Sequence, residues 1–282
     1  MRRHRFLSVG NTRVLILSLV ATAILSLLPL SSHATVDWND GFEYTSNTAL
    51  KAVWSSSCTA TQHTGIMEPS TARAHSGSRS LKLTYVGDLS ATSFTCFMER
   101  FFPVTDTLYT RIYIFLDNFV ASNINTKMFT HSKAKSYPTF WWSLVGSSNT
   151  HRVSIEGTTL GTGSNIHGGN LPSGRWVCVE TRVTLNTPGV ANGIVQSWVD
   201  GTQQINRTNL MLRNATATVI NGTNTNGPTS SMQYSRFYRQ HGRGVIYFDE
   251  YAVSRNARIG CSGSTPAGDT TAPQNPTGIT AR

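Results

Sequence analysis

Arg175-Trp-Val-Cys-Val-Glu-Thr-Arg-Val-Thr-Leu185 leads into a turn with Pro188, Gly189, Asn192 and Gly193. Ile194-Val-Gln-Ser-Trp-Val-Asp-Gly201 follows. In the first segment Val177, Val179, Thr181, Val183 and Leu185 share one parity, and Trp176, Cys178, Glu180 and Arg182 share the other. Side chains alternate between the two faces of a strand, so the stretch reads as a hairpin with one core face and one polar, aromatic face.

The same alternation extends in both directions. Strands are expected near 37–44, 81–85, 94–102, 109–116, 127–130, 139–145, 152–156, 232–238 and 245–253. Residues 51–79, rich in Ser, Thr and Gly around Pro69, read as loop. No sustained helical period occurs after the first thirty or so residues. Roughly ten strands without crossover helices predict an all-β fold, a two-sheet antiparallel sandwich.

Residues 1–34 read as a signal peptide. Arg2, Arg3, Arg5 and Arg13 precede an apolar run from Val14 to Leu30, and Ser32-His33-Ala34 fits a small-x-small cleavage site. An uncleaved anchor is the alternative reading. The expected location is secreted or periplasmic, with no stable membrane insertion after cleavage. The domain is expected over 35–261. Residues 262–282 read as a linker, and Ala272 to Ala281 resembles the start of a truncated fibronectin type III module.

Removing the four leader arginines lowers the net charge from +10 to +6. A basic exported chain suits an acidic polymer. Nucleic acid is disfavoured, because no Lys/Arg run or nucleic-acid motif is present. Cys58, Cys96, Cys178 and Cys261 form an even set behind an export signal, which predicts two disulfides. Of three pairings, Cys58–Cys96 and Cys178–Cys261 are expected. They would tie the early loop to its strand and the chain's exit to the sheet.

Five segments together resemble the concanavalin-like jelly-roll superfamily, and within it the secreted polysaccharide lyases and lyase-like proteins. They are Asp37 to Glu43, Ala74 to Leu83, Gly174 to Asn186, Val195 to Gly201, and Ile246 to Ser254. The resemblance implies a jelly roll that cleaves a uronic-acid polysaccharide by β-elimination. It also implies an Arg or Gln that neutralises the carboxylate, a His or Tyr base, and a Tyr acid. A non-catalytic carbohydrate-binding or adhesive domain is the alternative. Hydrolysis by paired carboxylates is disfavoured, since Glu99 has no closely spaced acidic partner on its strand.

Arg111 and Tyr113 share a parity opposite Ile112, Ile114 and Leu116, which places them on a polar face where Arg can hold a carboxylate. A solvated convex face is the competing reading. His131, among Lys127, Lys133 and Lys135, is the expected proton acceptor. Tyr234 and Tyr238 are the expected proton donors, and Arg111 or Arg182 the neutralising cation. Tyr113, Lys127, Glu180, Gln196, Trp198 and Arg236 are expected to bind substrate. Of Trp141 and Trp142, which point opposite ways, one should be core and Trp141 a sugar platform. No cofactor is required on this reading. A structural calcium would rest on Glu43 and Asp249, which supply only two of the six to eight oxygens it needs.

Overall fold

The computed structural model describes residues 35–58, 67–86, 96–123, 125–133, 136–157, 165–220 and 224–261. The leader and the fibronectin-like tail lie outside the described residues.

The chain forms two stacked sheets. In the first, the spatial order is β13 (Thr202–Leu210), β12 (Gly193–Val199), β11 (Trp176–Thr184), β6 (Thr107–Val120), β17 (Arg243–Ser254), β4 (Ser80–Val86) and β3 (Met67–Ser70). β1 (Trp38–Asp40) also pairs with β17. In the second, the order is β10 (Asn165–Asn170), β9 (Thr150–Glu156), β8 (Ser136–Val145), β7 (Thr126–Lys133), β16 (Met232–Gln240), β5 (Cys96–Thr105) and β2 (Ser55–Cys58). β14 (Thr218–Ile220) pairs β15 (Asn224–Asn226), which joins β8 in parallel through Thr225 and Ser136. The other described pairings are antiparallel. This is the expected jelly-roll sandwich.

The 175–201 hairpin is β11–β12. Glu180 stands opposite Trp198, and Arg182 opposite Gln196. Its inner parity, Val177, Val179 and Val183, is buried with Val195 and Val199 between the sheets. Ile112, Ile114 and Leu116 of β6 join them, and Phe129, Phe140, Trp142 and Phe237 face them from the second sheet.

The predicted loop at 51–79 is partly ordered. A short helix, α1 (Asn47–Val53), enters it, capped by Ser46 Oγ accepting from the Ala49 N–H. β2 and β3 follow. Seven residues make too few turns to register as a helical period. β13 carries little alternation either, because only Ile205 and Leu210 among its residues are buried.

Cys178 and Cys261 are joined, with Cα atoms 5.8 Å apart. Cys96 is disulfide-bonded as well. Its expected partner Cys58 lies directly opposite in the register of β2 and β5, and the Cys58 side chain lies outside the described residues.

Candidate functional site

The polar candidates separate onto opposite faces of the sandwich. One group lies on the outer face of the second sheet. On β16 the alternation puts Phe237 into the core and Tyr234, Arg236 and Tyr238 outward. Directly opposite them on β5 stand Phe101, Glu99 and Phe97. From Arg236 a rung runs through Thr130 and Trp141 to Ser154 and Asn165. A neighbouring rung runs through Lys127, Ser143, Arg152 and His167. Adjacent strands are about 4.8 Å apart, so each rung carries functional groups at regular intervals across the sheet.

Arg236 and Lys127 organise this face. The Arg236 guanidinium donates from Nε to Glu99 Oε2 at 2.9 Å, also pairs with it through Nη2, and donates from Nη1 to the Tyr238 hydroxyl at 3.3 Å. It lies 4.1 Å from the Phe97 ring centroid and 4.5 Å from that of Tyr234. Lys127 Nζ sits 3.6 Å over the Trp141 ring, 6.0 Å from the Tyr238 ring and 4.0 Å from Glu156 Oε1. Trp141 meets Tyr238 edge-on at 4.7 Å. Tyr234, Tyr238, Trp141 and Arg152 are each less than a tenth exposed, so they form a dense floor.

That density shifts the proton affinities. Burial pulls the Lys127 ammonium below its ordinary range, against the opposing pull of Glu156. Burial pushes the Tyr238 phenol up, although Arg236 opposes the shift. Burial also works against the Arg236 charge, yet Tyr234, Glu99 and Tyr238 together hold the guanidinium above its usual value. A lysine that sheds its proton more easily than usual and a tyrosine that keeps its own thus stand side by side.

His131 is not part of this face. It is fully buried between the sheets, where its Nδ1 bonds Ser235 Oγ at 3.0 Å and burial drives its pKa to about 3. A register shift between Lys127 and Phe129 explains the placement. Without that irregularity Lys127 and His131 would share a face. The shift leaves Lys127 outward and turns His131 inward, so the histidine cannot reach a polymer.

Arg111, Tyr113, Glu180, Arg182, Gln196 and Trp198 lie on the outer face of the first sheet, away from Lys127 and Tyr238. The chain's own segments occupy much of this surface. Glu180 is 1% exposed and accepts from Arg258 Nε at 3.0 Å and the Gly260 N–H at 2.6 Å. Arg258 stacks 4.5 Å over Trp198, and the Tyr113 hydroxyl donates to the Cys261 carbonyl. Arg111 pairs with Glu250 at 3.3 Å, and Arg182 donates to Gln196 at 3.3 Å. These groups hold a strap and one another.

Glu43 and Asp249, the carboxylates expected to hold a structural calcium, are both engaged by hydrogen-bond donors of the chain. Glu43 accepts from the Ser78 and Arg79 amides and the Ser78 hydroxyl. Asp249 accepts from the amides of His75, Ser76 and Glu250. Both carboxylates therefore face N–H groups, and Glu43 a hydroxyl as well. Burial pushes the Asp249 carboxyl up to about 7 even against those three donors. Cys178, Glu180 and Cys261 also converge, but the two sulfurs are consumed by their disulfide.

Phe97, Glu99, Phe101, Ser143, Arg152, Ser154 and His167 stand on the same face as Lys127 and Arg236 and were not singled out as site residues from the sequence. Phe101 and Glu99 alternate visibly in β5. Nothing local says that β5 lies beside β16, because alternation reports a face and not a neighbour.

Residues 147–227 match the family model of polysaccharide lyase 14. The fold is a jelly-roll sandwich. The cellulose-induced protein Cip1 superposes with a TM-score of 0.52 at 19% identity, over 79% of this chain and 99% of its own. The endo-β-1,4-glucuronan lyase of the fungus Trichoderma reesei superposes with a TM-score of 0.53 at 11% identity, over 78% and 95%. No curated protein matches the sequence.

Proposed function

We propose that this protein is an exported lyase that cleaves a uronic-acid polysaccharide by β-elimination on the outer face of the second sheet. The observation that carries the reading is the juxtaposition of Lys127, Trp141, Tyr238 and Arg236. Arg236, helped by Arg152 on the neighbouring rung, neutralises the uronate carboxylate and makes the adjacent C–H more acidic. Lys127 in its neutral form takes that proton. Tyr238, or Tyr234 beside it, protonates the glycosidic oxygen as the C–O bond breaks and the new C=C bond forms. Trp141 and Phe97 seat the two cations, Lys127 over one ring and Arg236 over the other.

Three further points support this reading. Residues 147–227 resemble polysaccharide lyase 14, and a fold neighbour is named for cleaving glucuronan. The leader composition and the disulfide fit an oxidising, extracytoplasmic setting. Among the described residues no helix is long and apolar enough to cross a membrane.

The test is incubation with glucuronan, polymannuronate and polyguluronate, following absorbance of the unsaturated product. Lyase action predicts rising absorbance that is lost on Tyr238→Phe. A second reading, binding without cleavage, has its own support: Glu99 already balances the Arg236 charge. Saturable binding to those polymers without new absorbance would establish it in place of the lyase.

A further inference from the structure

The first sheet carries an aromatic strip that the inter-sheet core does not use. Phe115 and Tyr247 are buried, yet both point to the outer face, with Trp176 meeting Phe115 edge-on at 5.6 Å. Beside Phe115 opens a cavity of about 500 Å³, lined by Arg73, Asp117, Asn118, Phe119, Ser173 and Gly174 among others. That volume lies within the range of small-molecule sites.

The backbone around the cavity is unusual. Asn118 has φ of 46°, a left-handed conformation that non-glycine residues adopt rarely. Behind it Gly244 packs so closely that a Cβ there would meet the Asn118 carbonyl oxygen at 2.4 Å. Asparagine tolerates this conformation, and the close packing of Gly244 fixes the path of β6 at the cavity edge. Asp117 and Asn118 sit in β6 at a register shift against β17. Ser173 and Gly174 approach from the loop before β11, where the Gly174 N–H bonds the Leu116 carbonyl.

We propose that this cavity is a second carbohydrate site, separate from the face carrying Lys127 and Arg236, and that it takes a neutral pyranose. Charge sets the ligand class. Arg73 and Asp117 pair at 3.1 Å, and Arg73 also lies 4.2 Å over the Phe115 ring. Their charges cancel, and the lining adds no further ionised side chain. A uronate carboxylate would gain little here, in contrast to the face carrying Lys127, Arg152 and Arg236. A neutral sugar instead matches the carboxylate, amide and hydroxyl groups of Asp117, Asn118 and Ser173 beside the Phe115 ring. Both members of the Arg73–Asp117 pair remain partly exposed, which leaves lone pairs and N–H groups for sugar hydroxyls. The site lies on the sheet face opposite Lys127 and Arg236, and it does not depend on the lyase reading.

The test is calorimetric titration of the full chain with cellotetraose, xylotetraose and mannotetraose. At least one should bind saturably. Ser173→Trp, placed on an exposed turn, should fill the cavity and weaken that binding at least tenfold, as should Asp117→Ala. Arg236→Ala should leave it unchanged. Melting curves of both cavity variants would verify that they fold, and product formation from polyuronate by Ser173→Trp should equal that of the parent. Absence of binding to all three probes would overturn the proposal. So would binding that survives both cavity substitutions or disappears in Arg236→Ala.

Discussion

Lys127 and Tyr238 are assigned opposite proton duties, and their environments separate them. The neutral form of Lys127 becomes accessible at lower pH than for an ordinary lysine, while the Tyr238 proton is retained to higher pH. Turnover should therefore rise with pH as Lys127 deprotonates and fall only when Tyr238 does. A pH–rate profile with its optimum on the alkaline side is expected, and an acidic optimum would remove Lys127 from the role of base. Lys127→Gln should lower kcat by about 10²–10⁴-fold, the usual worth of a positioned acid or base. Trp141→Ala removes the ring beneath Lys127 and should lower kcat as well as raise KM. The shared face of Tyr234, Arg236 and Tyr238 was legible from alternation alone, as was the division of Trp141 from Trp142. The position of His131 was not. One register shift after Lys127 reverses the face of the residues beyond it, and no residue type in Lys127-Met-Phe-Thr-His131 announces it.

At the scale of elements, β7 contributes both to the core and to the outer face, and its buried histidine makes stability depend on pH. His131 has a folded pKa near 3, well below the ordinary value of 6.5. The unfolded chain thus takes up a proton that the folded chain refuses. The associated stability is present above pH 6.5 and is lost as pH falls towards 3. Between pH 6.5 and 5 that loss is about 2 kcal/mol. His131→Gln, which cannot titrate but can still bond Ser235, should recover stability relative to the parent over this interval. Denaturant melts of both proteins at pH 7 and pH 5 measure it, and a constant difference would show that His131 does not titrate on unfolding. The strap at 258–261 is a second such element. Its sequence reads as the tail of a strand, and only the cysteine count marked its attachment to β11. Glu180, buried beneath it, depends on Arg258 and the Gly260 amide for compensation. Removing the Cys178–Cys261 bond with paired serines should cost about 2–5 kcal/mol. Equal midpoints for parent and variant in urea would show that the strap is held without it.

Across the whole molecule, the two outer faces have divided the polar residues between them. The hairpin at 175–201, the most legible part of the chain, supplies Glu180, Arg182, Gln196 and Trp198 to the strapped face. The face carrying Lys127 and Arg236 is assembled from β5, β16, β7, β8, β9 and β10, whose order interleaves distant parts of the chain. Local alternation can establish that a sandwich forms and which residues fill its core, but not which polar parities converge. That convergence depends on the sheet order, and the sheet order depends on long-range pairing. The division predicts a separable set of effects. Arg182→Ala removes a bond to Gln196 and a contact with the Tyr109 ring, both on the face away from Lys127 and Arg236. It should change stability by about 1 kcal/mol or less, as for other partly exposed polar contacts, and leave turnover of polyuronate at the parent level. Arg236→Ala should lower kcat/KM by about 10²-fold or more through the lost charge at the carboxylate. It should also leave Glu99 unpaired and lower the midpoint of unfolding. Measuring product formation and urea midpoints for both variants decides the matter. If Arg182→Ala abolishes turnover while its midpoint stays at the parent value, the active face is the one beneath the strap, and the face across β16 and β7 binds without cleaving.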